Sequence, residues 1–123
     1  SEEELTLLTN TDRLEKAFEK VTELYPEKLI IVTLGKDGAL YHLEGKKDVI
    51  SGKPLQPVDT TGAGDAFVGG LLAGLSQHPN WKENDVLVQI IRQANACGAL
   101  ATTAKGAMSA LPNQTQLAAF LAN

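Results

Sequence analysis

Residues 58–75 read VDTTGAGDAFVGGLLAGL, a pattern typical of a strand end joined through a glycine-containing turn to a helix start. The turn residues Gly62, Ala63 and Gly64 are small, so a ligand can approach their backbone N–H groups closely. The first N–H groups of a helix have no partner within the helix, and the helix dipole favours negative charge beside them. The stretch therefore predicts a pocket for an anion such as a phosphate group.

Asp65 is predicted to lie in the first turn of this helix, beside the anion pocket. A carboxylate in that place repels a bound anion unless it has a chemical role. Accepting a proton from a hydroxyl that attacks phosphorus is such a role. The alternative interpretation is structural: residues 59–61 form a turn and cap the helix, and Asp65 interacts favourably with the helix dipole.

Three glycines in the following helix favour the chemical interpretation. Gly69, Gly70 and Gly74 each cost about 1 kcal/mol relative to alanine in a helix interior. We expect that another backbone or a ligand approaches the helix closely at these positions.

The composition is that of an ordinary globular protein, with 43% hydrophobic and 21% charged residues in 123. The net charge of −4 argues against a general nucleic-acid-binding protein, because phosphate neutralisation needs clustered basic residues. Cys97 is the single cysteine, which excludes an intrachain disulfide and fits a reducing cytoplasm. The chain has no uninterrupted apolar run of about 18 residues, so we predict neither export nor a membrane span.

The rest of the chain alternates predicted helices and strands. A run of β-branched residues at 28–34, KLIIVTL, is typical of a buried strand in a largely parallel sheet. This alternation predicts one α/β domain over residues 1–123. Helices are predicted at 1–9, 11–25, 84–104 and 113–122, a second strand at 39–43, and an edge segment at 51–58.

The run DTTGAGD at 59–65, followed by AF and the glycine pair at 69–70, resembles the C-terminal signature of the ribokinase family, also called PfkB-type carbohydrate kinases. The resemblance implies the C-terminal portion of a ribokinase-like three-layer α/β/α fold, without the N-terminal sugar-binding half. In this family the last aspartate of the run is the catalytic base, and the Gly-Ala-Gly backbone forms an anion hole. These roles fall on Asp65 and on residues 62–64, in agreement with the interpretation from the residues themselves.

The turn LGKDG at 34–38 predicts a hairpin connection between two strands. In the ribokinase family a Gly-x-x-Gly turn at this place contacts the nucleotide phosphates. The resemblance therefore implies nucleotide contacts for Thr33, Gly35 and Gly38, with Lys36 adding positive charge. The two interpretations remain open.

Two further nucleotide-site residues are implied by the resemblance. Glu4 corresponds to a family glutamate that helps to organise magnesium and phosphates, although an acidic first helical turn is common without such a role. Asn95 lies beside the adenine by family position, whereas a hydrogen-bonded structural amide is the ordinary alternative.

The resemblance also implies a site for a monovalent cation, usually potassium, next to the anion hole. Part of this site would come from the end of the helix predicted at 84–104. The ordinary alternative there is a helix C-cap formed by Lys105 and Gly106. The positions implied as cation ligands are Asp59, Thr61, Ala101, Ala104 and Gly106.

Taken with these residues, the resemblance implies an ATP-dependent sugar kinase of the fructokinase and aminoimidazole riboside kinase branch. It would use ATP, Mg²⁺ and K⁺, act in the cytoplasm on a small sugar or riboside, and form a homodimer as a full-length protein. The fragment alone is expected to be inactive. The alternative is a non-catalytic nucleotide-binding or dimerisation module, which would not need Asp65.

Two other nucleotide-binding classes are not favoured by the sequence. The P-loop pattern is absent, which argues against a P-loop kinase. Phe67 stands where a dinucleotide-binding motif has its third glycine, which argues against a Rossmann dehydrogenase.

Overall fold

The computed structural model describes residues 1–53, 57, 59–103 and 114–122. The chain divides into two compact units, Ser1–Ile50 and Ser51–Asn123. Each unit has a hydrophobic cluster of its own. The predicted site residues therefore fall into two sets, one in each unit.

The first unit contains two helices and a small sheet, in the order helix, helix, strand, strand, strand. A single 3₁₀ turn, Gly35–Asp37, connects the first two strands. The elements are α1 (Glu2–Leu8), α2 (Leu14–Leu24), β1 (Ile30–Thr33), β2 (Ala39–Leu43) and β3 (Lys46–Ile50).

Helix α1 begins with a capping box between Ser1 and Glu4. The Glu4 N–H donates to the Ser1 hydroxyl, and the Glu4 carboxylate accepts from the Ser1 amino group. These bonds satisfy backbone N–H groups that a helix start leaves free. The predicted short N-terminal helix is confirmed.

Helix α2 packs its apolar side against β1, as its periodicity predicts. Ala17 and Phe18 are buried together with Val32 of β1. Leu24, which continues the same apolar pattern, is an exception at 68% exposure. Leu24 is the last residue of the helix.

The sheet is antiparallel throughout the described residues. β1 pairs with β2 in the register Thr33 opposite Ala39, and β2 pairs with β3. The hairpin predicted at 34–38 is confirmed, but the largely parallel sheet is not. A parallel pair needs a long crossover connection, whereas the short turns here bring consecutive strands side by side in opposite directions.

The described residues of the second unit form three helices: α3 (Ala63–Gln77), α4 (Asn84–Ala101) and α5 (Gln114–Ala122). Residues 51–53 and 57 are not in a strand, so the predicted edge segment is not seen in the part of this stretch that the structure describes. Val58, the predicted strand end, lies outside the described residues.

Helices α3 and α4 pack along their lengths, and α5 packs on α4. The shared core includes Ala66, Cys97 and Leu117. Lys53 holds the end of α5, because its Nζ donates a 2.6 Å hydrogen bond to the Phe120 carbonyl. A cation near a helix C-terminus is favoured by the helix dipole.

Helix α4 ends at Ala101, three residues before the predicted end at 104. The hydroxyl and the N–H of Thr102 both donate to the carbonyl of Ala99. This tight closure ends the helix early, because short-range bonds of this kind replace the α-helical pattern in a final turn. Lys105, predicted as part of the C-cap, lies outside the described residues.

Among the described residues, no helix combines the length and the apolar character that a membrane span requires.

Candidate active site

A tight turn precedes α3 and is held by two hydrogen bonds. The Thr61 N–H donates to Oδ1 of Asp59 at 2.8 Å, and the Ala63 N–H donates to the Thr60 carbonyl at 3.2 Å. Gly62 has φ 81° and ψ −1°, which matches the third position of a type II turn. A residue with a side chain is strained in this conformation, so the turn requires glycine here.

Helix α3 begins directly after this turn, with Gly62 as its N-cap and no side chain capping it. The structural interpretation predicts that residues 59–61 form a turn and cap the helix. They do form a turn, but they do not cap the helix. The first helical hydrogen bond runs from the Ala66 N–H to the Gly62 carbonyl at 2.9 Å. Within the described residues, the Gly64 N–H has no hydrogen-bond acceptor, so it is available to a ligand.

Asp65 lies in the first turn of α3, as predicted, and its side chain is exposed. Its carboxylate and the Gly64 N–H therefore belong to the same helical turn. The Ala63 N–H, in contrast, already donates to the Thr60 carbonyl within the preceding turn. This start of α3 offers a hydrogen-bond donor for an anion and a carboxylate that can accept a proton.

A backbone bond joins the turn to the end of α4. The N–H of Asp59 donates to the carbonyl of Thr102 at 3.0 Å. This places Asp59 and Thr61 near Ala101, which is the last residue of α4 and fully buried. Three of the five implied cation ligands thus lie in neighbouring segments, and the other two, Ala104 and Gly106, lie outside the described residues.

The glycines of α3 allow α4 to approach closely. A Cβ added to Gly70 would lie 2.8 Å from Sγ of Cys97, and one added to Gly74 would lie 2.7 Å from Cγ2 of Ile90. The predicted close approach of another backbone is confirmed at Gly70, where the added Cβ would also lie 3.3 Å from Cα of Ala94 on α4. At Gly74 the close neighbour is a side chain of α4. Cys97 is buried in this contact, and burial raises the pKa of its thiol.

Asn95 is half-buried on α4 and takes part in a polar or ring interaction within the protein. Both the structural and the adenine-binding interpretations of this amide are compatible with that environment. The adenine contact stays a prediction.

The first unit carries the other implied nucleotide residues. Thr33 ends β1, and Gly35, Lys36 and Gly38 form the turn that follows. This turn is closed by a 2.8 Å bond from the Leu34 N–H to the Gly38 carbonyl. The Lys36 side chain is exposed, so it is free to meet a charged ligand.

Glu4 lies on α1, which contacts β1. In the 123-residue chain a hydrogen bond from the terminal amino group, followed by the Ser1 hydroxyl bond, lowers the pKa of Glu4. Its carboxylate therefore already has a structural role as the capping-box acceptor. A role in organising magnesium stays a prediction.

Two residues of this site were not singled out from the sequence. Thr102 contributes through its backbone carbonyl, which no residue pattern reveals. Gly98 faces the start of α3, since a Cβ added to it would lie 3.1 Å from the Ala63 carbonyl oxygen. In the structure, a helix turn approaches that position.

Among the described residues, no three histidine, cysteine, aspartate or glutamate side chains form a cluster that could hold a metal ion.

Comparison with known proteins shows the family of the chain. Residues 1–114 match the family described as pfkB family carbohydrate kinase. The chain belongs to this family. A fructokinase of Vibrio alginolyticus is 48% identical over 121 residues, which are 98% of this chain and 39% of that protein.

Solved structures of pfkB relatives have the same fold over this stretch. Two crystal structures of Vibrio cholerae O395 fructokinase have TM-scores of 0.90 and identities of 49% and 48%. They cover 98% of this chain and 39% and 38% of their own chains. One contains fructose, ADP and calcium ion, and the other, a double mutant, contains fructose, ADP and potassium ion.

A third relative is aminoimidazole riboside kinase from Salmonella enterica, complexed with aminoimidazole riboside and an ATP analog. It has a TM-score of 0.88 and 43% identity, and the match covers 98% of this chain and 40% of that chain. The chain therefore spans about two fifths of the length of the relatives it matches.

Proposed function

We propose that the full-length protein containing these residues is a carbohydrate kinase that transfers the γ-phosphoryl group of ATP to a sugar hydroxyl. The observation that carries the proposal is the start of α3, where Asp65 lies in one exposed turn with the Gly64 N–H, which has no acceptor among the described residues. Membership of the pfkB family supports it.

In this proposal Asp65 is the catalytic base. Its carboxylate accepts the proton of the sugar hydroxyl as the hydroxyl oxygen attacks the γ-phosphorus. The exposed position of the side chain allows a substrate to reach it. Gly64 donates its N–H to a phosphoryl oxygen on which charge accumulates.

The backbone of residues 62–64 supplies the anion hole in two different ways. Gly62 turns the chain into the helix and the Ala63 N–H closes that turn, so these two residues shape the site. Gly64 offers an N–H donor that has no acceptor in the part of the chain that the structure describes. Magnesium bound with ATP would neutralise phosphate charge when present.

The remaining nucleotide contacts are proposed for Thr33, Gly35, Lys36, Gly38 and Asn95. The hairpin turn after β1 offers a basic side chain, and α4 offers an amide. Glu4 is proposed to orient the metal–phosphate group. We further propose that residues 1–123 form the C-terminal portion of the parent kinase, with most sugar contacts in the other portion, and that the parent acts as a cytoplasmic homodimer.

Fructose is the first acceptor to test, because the fructokinase of Vibrio cholerae holds fructose in its crystal structure. A riboside is the second, because the Salmonella enterica relative binds aminoimidazole riboside. Transfer from ATP to each acceptor should be measured with the full-length protein. The acceptor with the higher kcat/KM is the preferred substrate.

The substitution Asp65→Asn tests the role of the base. It should lower kcat by about 100- to 10,000-fold while ATP affinity is kept. Asp85→Asn is the matched control, because Asp85 is also an exposed first-turn carboxylate, on α4. Near-normal turnover of Asp65→Asn would refute the base assignment.

ATP binding by the wild-type protein without transfer to any sugar would favour the non-catalytic module instead.

A further inference from the structure

Gly98 lies on α4 opposite the first turn of α3. A Cβ added at this position would be 3.1 Å from the carbonyl oxygen of Ala63 and 3.6 Å from Cβ of Phe67. The first distance is shorter than an ordinary contact between non-bonded heavy atoms. A side chain at Gly98 would therefore push on the backbone of Ala63 or force the two helices apart.

The Ala63 carbonyl and the Gly64 N–H belong to one peptide group. Because a peptide group is planar and stiff, a push on its carbonyl oxygen also turns its N–H. The Gly64 N–H has no acceptor among the described residues, whereas the Ala63 N–H is bonded to the Thr60 carbonyl. The peptide group that Gly98 faces thus presents an available donor at the start of α3.

We propose that Gly98 is a positioning residue for phosphoryl transfer. Its missing side chain allows the Ala63–Gly64 peptide to keep the orientation in which the Gly64 N–H is available to the transferred group. This inference rests on the proposed function. It differs from that proposal in assigning to a residue of α4 a role that acts through the Ala63–Gly64 peptide.

Gly74 shows how a purely structural glycine differs from Gly98. It lies in the same pair of helices, and an added Cβ would meet Cγ2 of Ile90 at 2.7 Å. That neighbour is a buried, β-branched side chain of the core, so an added methyl group at Gly74 would disturb the packing of the two helices. The neighbour of Gly98 is backbone, fixed within the first helical turn.

The test compares Gly98→Ala with Gly74→Ala in the full-length protein. Alanine is the better helix former at both positions, so helix propensity alone does not predict a loss from either change. For Gly98→Ala we expect kcat to fall by about 10- to 100-fold with little change in the KM for ATP or sugar. Gly74→Ala should lower the melting temperature without changing kcat. The kcat values are expressed per folded molecule, counted by near-ultraviolet circular dichroism.

A second measurement is independent of turnover. Aluminium fluoride mimics a phosphoryl group in transfer, so its addition to ADP, magnesium and sugar should raise the melting temperature of the wild-type protein. Gly74→Ala should keep this increment, and Gly98→Ala should lose most of it. A Gly98→Ala protein that keeps both kcat and the increment would overturn the inference.

Failure of Gly98→Ala to fold, with Gly74→Ala folded, would also overturn it, because the contact would then govern helix packing alone. If the wild-type protein itself neither transfers phosphate nor responds to aluminium fluoride, the proposed function fails. An active wild-type enzyme whose Gly98→Ala variant behaves like Gly74→Ala refutes only the role of Gly98.

Discussion

The backbone N–H of Asp59 donates a 3.0 Å hydrogen bond to the carbonyl of Thr102. This bond fixes the turn before α3 to the residue that follows α4. The Asp59 carboxylate also accepts from the Thr61 N–H, so the turn is held from both sides. Three of the implied cation ligands, Asp59, Thr61 and Ala101, thereby lie in neighbouring segments beside the start of α3.

The first prediction concerns potassium. A monovalent cation held between these segments would strengthen the field at the anion hole and order the loop. In the full-length protein, potassium should raise kcat by about fivefold or more over sodium or a bulky organic cation at matched ionic strength. Equal rates in the three salts would remove the cation site.

Asp59→Asn should weaken this activation, because it removes a negative charge while the backbone bond to Thr102 remains possible. Asp48→Asn is the matched control, since Oδ1 of Asp48 likewise accepts a backbone N–H, from Val49 at 2.8 Å. Only the first variant should require more potassium for half-maximal rate. A shift of similar size in both variants would indicate a general charge effect.

The second prediction separates two glycines of the turn. Gly62→Ala places a side chain at φ 81°, which costs about 1–2 kcal/mol, so thermal unfolding should begin several degrees lower. In Gly64→Ala the added carbon has no atom within 4 Å, so the melting temperature should not change. The kcat should fall, because the methyl group obstructs the approach of the phosphate. Unchanged stability of Gly62→Ala would contradict the turn geometry.

The sequence was most informative where neighbouring residues decide the structure. The position of Asp65 in the first helical turn follows from the residues beside it, and so does the short N-terminal helix. In each case the hydrogen-bond partners lie within a few positions of one another.

Sequence patterns were less informative where distant segments meet. The residues of β1 suit a parallel or an antiparallel neighbour equally well, and the hairpin decides the pairing. The bond to Thr102 uses only backbone atoms. The role of Gly98 depends on how α3 and α4 pack, which local periodicity does not specify.

The third prediction concerns Cys97. Burial raises the pKa of its thiol, so less thiolate, the reactive form, is present at a given pH. At pH 8, an alkylating reagent should modify Cys97 at least about tenfold more slowly in the native protein than in denaturant. Mass spectrometry of the peptide that carries Cys97 measures both rates.

The sign of the linked stability effect follows from the same shift. Because the folded-state pKa is raised, the favourable contribution of the protonated thiol is complete below the unfolded pKa and is lost as pH rises through the folded pKa. Cys97→Ser should therefore reduce the decline in stability at alkaline pH. Equal modification rates in native protein and denaturant would contradict the buried position.

The last prediction concerns residues 1–123 as an isolated chain. Large apolar side chains are exposed on it, including Leu7 at 82%, Leu8 at 83% and Leu72 at 59%. Such surfaces favour association, so light scattering should give a mass above the 13.1 kDa of the monomer. Replacing Leu7 and Leu8 with lysine should reduce that mass, whereas replacing the already exposed Lys47 with glutamate should not.

This isolated chain should also bind ATP weakly and show no measurable sugar phosphorylation. It spans about two fifths of its relatives, and phosphoryl transfer requires both reactants to be positioned and water to be excluded. Isothermal titration with ATP and a coupled kinase assay with fructose measure the two properties. Rapid phosphorylation by a monomer of these 123 residues would show that the sugar site lies within them, contrary to the proposed division of the parent protein.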